Sequence, residues 1–293
     1  MHGSAYLQGV RGNGAGSDLL RVFLPGRGAR AGAFALIFAA APSPWSWYPA
    51  WEETAVVVVV AGAYVAAARV WRPTPGQAAA FAGALAVILA VSVTPAATLA
   101  LHYLLSAHLL QNVALAEWAP ALAVAAIPAG LTERIAAIRP LRPLLHPVVA
   151  LPLWLLAYGV WHLPALYDAA LRHHSLLHLE HATYVATGFL LWWPVFKEAP
   201  ARLSAGAKSA YLFAAFVLAS PLGLLLALVP SPLYDFYEEA PRIWGLDALA
   251  DQQIAGVIMS VSEAVVFFAA FLVFFTRFMR EEEAEYSQGH AER

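Results

Sequence analysis

The amino-acid sequence predicts an all-α polytopic membrane protein whose core is a bundle of seven transmembrane helices. The first observation is the composition: of 293 residues, 61% are hydrophobic and only 12% are charged, whereas a soluble domain carries about 25% charged residues. The second is that the apolar residues fall in seven runs, each long enough to cross a hydrocarbon core of about 30 Å. The third is that Pro, Gly and charged residues separate these runs.

The composition also excludes several classes of protein. The chain has no cysteine, which excludes disulfide frameworks, thiolate zinc sites, iron–sulfur clusters and thiol catalysis. A net charge of -2 offers no basic face for nucleic acid. Aromatic residues make up 12% of the chain, and so many aromatics with so little charge are the reverse of a disordered composition.

The seven runs define the predicted spans. They lie at about 53–71, 77–95, 98–129, 146–162, 175–196, 209–229 and 253–278. The breaks between them include the polar stretches 72–76, 133–143 and 197–208. The third run is too long for one straight helix, and Pro120 lacks a backbone donor. We therefore predict a break near Glu117–Pro120, followed by a bent or re-entrant piece.

The N-terminal region allows two interpretations. A basic region precedes the short apolar run Ala31–Ala41, which resembles a signal peptide with a small-residue cleavage site. The alternative is an uncleaved eighth span that extends to Trp47. The predicted organisation is an N-terminal tail over 1–50, a seven-helix membrane domain over 51–280 and a charged cytoplasmic tail over 281–293.

The distribution of Lys and Arg predicts the orientation, since cytoplasmic loops carry an excess of both. With the first span entering from outside, ten Lys and Arg residues fall on the cytoplasmic connections or just after the last span, and the outer connections between spans hold only Arg172 and Arg242. The opposite orientation inverts this ratio. We therefore expect an N-out, C-in seven-span core.

Seven of the ten histidines map to the outer leaflet in this topology. They are His102, His108, His162, His173, His174, His178 and His181. Polar groups within spans carry a cost and usually mark function. The alternative interpretation is that each is a hydrogen-bonded packing residue or lies in a wet interfacial loop.

Helix geometry selects candidate ligands from this set. His174, His178 and His181 share one stripe at i, i+4 and i+7, and His108 shares a face with Asn112. His102 belongs to a different face. The predicted site combines His108, His162 and two of the three histidines in the stripe, with additional candidates Asn112, His102, Met259, Asp251 and Gln252. Imidazole-rich sites without thiolate suit copper, zinc or iron.

Other polar and aromatic residues have structural interpretations. Glu117 and Glu263 lie within apolar runs, where a carboxylate is costly unless it is neutral or paired. For Glu263, which has Ser260 and Ser262 nearby in sequence, we expect a protonated, hydrogen-bonded carboxyl, and a proton relay is the alternative. Asp251 is predicted to cap the N-terminus of its own helix. Seven tryptophans near the predicted span boundaries are predicted to be interfacial anchors: Trp45, Trp47, Trp51, Trp161, Trp192, Trp193 and Trp244.

Three sequence blocks resemble the CtaG family of cytochrome c oxidase assembly factors. Trp161–Ala170 (WHLPALYDAA) is similar to the family's WHxPxLYDAA signature, Gly188–Pro194 (GFLLWWP) to its GLLFWWP segment, and Asp247–Met259 (DALADQQIAGVIM) to its LxDQQLAGLIM segment. The blocks occur in order between about Trp51 and Glu283. The resemblance implies a seven-span protein of the bacterial plasma membrane that supplies copper to the CuB centre of haem–copper oxidase.

The implied cofactor is therefore transiently held copper. The implied partners are oxidase subunit I, a periplasmic or membrane copper donor and the lipid bilayer. We expect a metal-binding chaperone and not an enzyme, because no nucleophile or general base is evident.

Two positions depart from the family pattern. The family's third span typically carries HxxxH, but Asn112 stands four residues after His108. Its fifth span usually pairs two histidines four apart, whereas His178 and His181 are three apart and His174 supplies the four-residue spacing. The site is either rebuilt around His174 and His102 or weaker in metal affinity, and a metal-independent assembly role stays open.

Three other functions compete with this interpretation. A copper transport or resistance protein would use the same site. An intramembrane metal-dependent protease is suggested by His108–Asn112 and by the pair Glu238–Glu239 with Arg242, although the glutamate pair is one residue short of that pattern. The third is a haem-binding cytochrome, which needs histidines that face each other across a bundle, whereas only closely spaced histidines appear in this sequence.

Overall fold

The protein is built from helices that follow the predicted runs closely. The computed structural model describes residues 41–291, and this part of the chain contains no strand. Its helices are α1 (Trp51–Trp71), α2 (Pro75–Val93), α3 (Pro95–His102), α4 (Leu105–Val113), α5 (Ala119–Ala125), α6 (Ala129–Ala136), α7 (Pro147–Trp161), α8 (Pro164–Arg172), α9 (His174–Phe196), α10 (Ala205–Leu228), α11 (Asp235–Glu239) and α12 (Ala248–Ala291). The segment on which the signal-peptide and eighth-span predictions fall, up to residue 40, lies outside the described residues.

Four of these helices, α1, α2, α10 and α12, are long and apolar enough to cross a membrane. The number rises to six if each of two bent pairs is one span: residues 105–125 with α6, bent by 116°, and α7 with α8, bent by 75°. The all-helical prediction is confirmed, but the count of seven spans is not. Helix α9, the predicted fifth span, has 23 residues and carries three histidines and a glutamate, and it is not among these helices.

The third predicted run breaks at places other than the one expected. It is interrupted at Tyr103–Leu104 and again after Ala125, whereas the chain remains helical through Pro120. A π-helical turn, Ala114–Trp118, joins α4 to α5 and places Pro120 in the first turn of α5. A proline is tolerated inside a membrane helix where a local π-helical adjustment and neighbouring helices accommodate the lost backbone hydrogen bond. The prediction of a break at Glu117–Pro120 was therefore wrong.

The break between α3 and α4 is stabilised by a carboxylate from α12. Asp251 Oδ2 accepts from Leu105 N at 2.7 Å, and Oδ1 accepts from Ser106 N at 3.2 Å and from the Ser106 hydroxyl at 2.6 Å. Asp251 thus caps α4, where the positive end of the helix dipole favours a negative charge. The prediction that it caps its own helix was wrong, since Asp247 Oδ1 accepts from Ala250 N at 2.8 Å there.

An aromatic core holds α7, α9 and α12 together. The Trp192 ring stacks on Phe267 with centroids 5.6 Å apart, and Trp154 meets the same ring edge-on at 5.6 Å. Trp161, Trp192 and Trp193 are buried, so the prediction of interfacial anchors was wrong for these three. The other four tryptophans of that prediction are exposed. The outer faces are apolar instead: on α1, Val59 is 70% exposed, as expected for a side chain that contacts lipid.

Two close helix approaches depend on glycine. A Cβ at Gly188 of α9 would overlap the carbonyl oxygen of Ala116 in the π-helical turn. A Cβ at Gly256 of α12 would lie 2.5 Å from Ala227 N of α10. Small residues at such contacts let helix backbones pack closely, and the Gly188 contact sets α9 against the helix that carries His108.

The last helix extends well beyond its predicted span. Its 44 residues correspond to about 66 Å at 1.5 Å per residue, roughly twice the hydrocarbon thickness. The segment 281–291, predicted as part of a charged tail, continues this helix.

Candidate metal site

Three buried imidazoles lie close together where α4, α7 and α9 meet. His108 is fully buried on α4, His162 directly follows α7 and is 5% exposed, and His181 lies two turns into α9 and is 8% exposed. The ring centroids of His181 and His108 are 6.2 Å apart, and the Tyr167 ring contacts both His108 and His162. The structure therefore brings together three of the five principal ligands that the sequence predicts.

His162 presents an unprotonated nitrogen to the interior. Its Nδ1 lies 2.8 Å from the carbonyl oxygen of Tyr158. A carbonyl only accepts, so Nδ1 carries the proton and Nε2 keeps its lone pair. This Nε2 is buried and has no hydrogen-bond partner within the described part of the chain.

His108 adopts the same tautomer for a different reason. The Tyr237 hydroxyl donates to the carbonyl oxygen of Ala100 at 2.6 Å, so it accepts from His108 Nδ1–H at 2.9 Å. The Tyr167 hydroxyl lies 3.2 Å from the same Nδ1. His108 Nε2 is buried and has no hydrogen-bond partner among residues 41–291. Metal-binding imidazoles typically donate the N–H of one ring nitrogen to the protein, so that the lone pair of the other nitrogen is free to bind the ion.

His181 is the least constrained of the three. Neither ring nitrogen has a hydrogen-bond partner among the described residues, although both are buried. Its ring centroid lies 6.2 Å from that of His108 at an interplanar angle of 81°. Two imidazoles can span this distance on one ion, given metal–nitrogen bonds of about 2.0–2.1 Å. Within the described part of the chain, no hydrogen bond fixes the orientation of the His181 ring.

Tyrosines form the wall of this buried cluster. Tyr167 lies between His108 and His162, with ring centroids 5.2 and 5.9 Å away, and Tyr234 packs on Tyr167 at 4.2 Å. Burial raises the pKa of Tyr237, on the short helix α11, well above its usual range, and the nearby Asp251 raises it further. The Tyr237 hydroxyl therefore stays protonated and orients His108 as a hydrogen-bond partner.

Glu180 is a buried residue of this region that sequence reasoning missed. Asn112 Nδ2 donates to Glu180 Oε1 at 3.1 Å, and Glu180 Oε2 has no partner in the described residues. Asn112 thus holds a carboxyl group beside His181. The sequence did contain a signal for Glu180: it lies inside a predicted span, where a carboxylate is costly and usually functional. The glutamates of the protease-like pattern, Glu238 and Glu239, are exposed instead.

The other two predicted ligands, His174 and His178, lie at the protein surface. His178 Nε2 is 2.8 Å from His174 Nδ1, and both rings are near Glu52 of α1. In the described part of the chain, Glu52, His174 and His178 are the only group of three or more His or acidic side chains whose ligand atoms all lie within 4.8 Å of one another. The predicted single site is therefore divided into a buried and a surface cluster.

The additional candidates occupy other places. His102 lies on α3, with its ring 6.3 Å from that of Tyr48, and Met259 is fully buried on α12. Asp251 caps α4, as described above. Gln252 fixes the loop after α10, because its Oε1 accepts from Leu233 N at 2.7 Å and its Nε2 donates to the carbonyl of Ser231 at 3.2 Å.

One known protein family matches most of the chain. Residues 62–281 match the family described as cytochrome c oxidase caa3 assembly factor (Caa3_CtaG). No curated protein and no solved structure matches the chain significantly. Because the match covers about three quarters of the 293 residues and includes all three buried imidazoles, the chain belongs to the Caa3_CtaG family of cytochrome c oxidase assembly factors.

Proposed function

We propose that this protein holds copper transiently at His108, His162 and His181 and transfers it to the CuB centre in subunit I of haem–copper oxidase. The observation that carries the proposal is the buried cluster itself. Three helices bring together imidazoles that each have at least one buried nitrogen without a hydrogen-bond partner in the described residues. Buried polar atoms are normally paired, so nitrogens left in this state need a ligand to explain them.

The donor set suits copper that must be released again. Imidazole binds copper well, and the chain has no thiolate that would hold the ion more tightly. The three imidazoles are neutral ligands, and no hydrogen bond from residues 41–291 fixes His181. Both features favour exchange over permanent binding, as a transfer step requires.

The topology completes the proposal. With the N-out, C-in orientation that the charge distribution favours, the three imidazoles lie near the outer side of a bacterial plasma membrane. A copper donor outside the cell or in the membrane then reaches the protein directly. The role is non-catalytic, because the ion is passed on without chemical change to a substrate.

The test is the copper content of the oxidase. A strain that lacks this protein is complemented with the wild type, His108→Ala or His173→Ala, and the copper-to-haem ratio of purified oxidase is measured by elemental analysis. We expect oxidase without CuB in the deletion strain and with His108→Ala. Wild type and His173→Ala, an exposed histidine outside both clusters, should restore full copper.

Folding of the variant is checked separately. Membrane levels and melting temperature of His108→Ala are compared with the wild type, and His108→Gln provides a second variant of closer size. Oxidase fully loaded with copper in the deletion strain would refute the proposed function.

A further inference from the structure

We infer that Glu52, His174 and His178 form a second metal site, at the protein surface, that binds a divalent ion of the Cu²⁺ type. Glu52 lies in the first turn of α1, and the two histidines lie one turn apart in the first turns of α9. Residues at i and i+4 are neighbours on a helix face. Two helices therefore supply a carboxylate and two imidazoles to one point.

The spacing of the two nitrogens is compatible with one coordination geometry. His178 Nε2 and His174 Nδ1 are 2.8 Å apart and form a hydrogen bond, which an ion bound between them would replace. Two ligands bound at about 2.0 Å and at about 90° to each other have this separation. Adjacent positions at right angles are those of a square-planar or tetragonal ion, the geometry that Cu²⁺ prefers with N and O ligands.

A second layer of side chains already orients both rings. His178 Nδ1 lies 3.2 Å from Glu53 Oε1, and His174 Nε2 lies 3.2 Å from the Tyr48 hydroxyl. His178 thus donates its Nδ1 proton to a carboxylate, which leaves Nε2 as the ligand. When an ion binds His174 through Nδ1, the ring proton moves to Nε2 and is donated to the Tyr48 oxygen. Carboxylate–histidine–metal arrangements of this kind orient the ligand and raise its basicity.

The surface cluster differs from the buried one in charge and access. Glu52 and His174 are exposed and His178 is partly exposed, so an ion can exchange with the solvent directly. A carboxylate and two imidazoles suit a borderline divalent ion, and among these Cu²⁺ binds most tightly. The cluster therefore has the properties of an entry site.

Helix α9 connects this surface site to the buried imidazoles. His178 and His181 are three residues apart and are neighbours on the helix surface. An ion released by His178 has His181 as its next ligand towards the interior. The role as entry site rests on the proposed function, whereas binding at the surface site does not.

The experiment measures copper bound to the purified full-length protein in detergent. The protein is loaded with CuSO₄ and dialysed, copper is counted by elemental analysis, and the Cu²⁺ spectrum is recorded by electron paramagnetic resonance. We expect two ions in the wild type, one of which shows splitting from two nitrogen ligands. The double variant His174→Gln/His178→Gln should bind one ion and lose that spectrum, while the neighbouring control His173→Gln keeps both.

Further variants separate the two sites. Glu53→Gln should weaken the surface ion by about 10- to 100-fold, the usual effect of removing an orienting carboxylate. His108→Ala should lose the other ion and keep the two-nitrogen spectrum. Melting temperatures confirm that each variant is folded.

The outcomes distinguish this inference from the proposed function. Two ions and an unchanged spectrum in His174→Gln/His178→Gln would overturn the surface site, whatever the oxidase assay shows. Loss of the two-nitrogen spectrum in His108→Ala would also overturn it. Surface binding as expected, together with fully loaded oxidase in the deletion strain, would refute the transfer role alone.

Discussion

At the level of single residues, the contact between Asn112 and Glu180 joins α4 to α9 beside the imidazoles. The Asn112 amide donates to Glu180 Oε1 at 3.1 Å, and both side chains are buried. The position at which the family typically has a second histidine is therefore used here to pair a buried carboxyl group. Asn112 therefore holds Glu180, the residue that directly precedes His181 in the sequence.

This contact predicts a coupling energy between the two positions. Asn112→Leu leaves a buried carboxyl oxygen without its donor and should lower the free energy of unfolding by about 1–3 kcal/mol. Asn112→Leu/Glu180→Leu removes both partners and should cost less than the sum of the single variants. Unfolding of all four proteins in detergent measures the cycle, and strictly additive effects would contradict the contact.

The candidate metal ligands show which residues of a site can be predicted from the sequence. His108, His162 and His181 follow from topology and helix spacing, because each lies at a predictable depth on a predictable face. Glu52 does not, since its position beside α9 depends on how α1 packs, and one sequence carries no signal for that packing. The separation of His178 from His181 is also tertiary: one ring meets Glu53 at the surface and the other faces the interior.

At the level of elements, Gly188 explains why α9 approaches the π-helical turn so closely. π-helical turns are rare and frequently occur at functional sites, and this one follows the helix that carries His108. The GFLLWWP block therefore has a physical reason for its first residue. Its two tryptophans pack in the core beside the same interface.

Gly188→Ala should separate α9 from the π-helical turn. The added Cβ would overlap the backbone of Ala116, which cannot move aside as a flexible side chain would. We expect a loss of about 1–3 kcal/mol in unfolding free energy, as for other overpacked sites, and weaker copper binding. Gly159→Ala on α7, where a Cβ meets nothing within 4 Å, is the matched control and should be neutral or stabilising. Equal melting temperatures for both variants would contradict this packing.

The bounds of most helices follow from hydropathy, and the exceptions have local causes. The predicted spans 53–71 and 77–95 correspond to α1 and α2 within two residues. The break before α4 could not be found, because the carboxylate that stabilises it, Asp251, is 146 residues from Leu105 in sequence. The continuation of the helix through Pro120 was not predicted, because a π-helical turn has no simple sequence signal.

Lys197 links the end of α9 to the bend after α5, and it should make stability depend on pH. Its ammonium donates to the carbonyl of Ile127 at 2.7 Å, and burial lowers the pKa of Lys197 to about 8. Above pH 8 the unfolded chain holds this proton more tightly than the folded protein. The unfolding free energy should therefore rise between pH 8 and about pH 10.4, by at most about 1.4 kcal/mol per pH unit.

The measurement compares melting temperatures at pH 7.5 and pH 9.5 in wild type and two variants. Lys197→Met should lose the stabilisation that the wild type gains at the higher pH. Arg202→Met replaces a side chain that is 78% exposed and should follow the wild type. Parallel curves for wild type and Lys197→Met would show that this lysine is not buried in the charged form.

At the level of the whole molecule, the two histidine clusters can serve the proposed copper transfer only if they face the side from which copper arrives. The charge distribution favours one orientation: the connections predicted to be cytoplasmic carry ten Lys and Arg residues, and the outer ones carry two. The apolar exterior of α1 and α12 and the buried polar interior fit a bundle that lies in lipid. Orientation then decides whether the clusters meet the outer or the inner solution.

The lack of cysteine makes this orientation directly measurable. We expect a cysteine at Ser231, in the loop before α11, to react with a membrane-impermeant maleimide in intact cells, because that loop is predicted to be outside. A cysteine at Glu282, near the far end of α12, should react only after the cells are opened. Both positions are exposed, and the unmodified chain gives no background because it has no cysteine. The opposite labelling pattern would place the imidazoles on the cytoplasmic side, where the proposed transfer from an outer copper donor has no route.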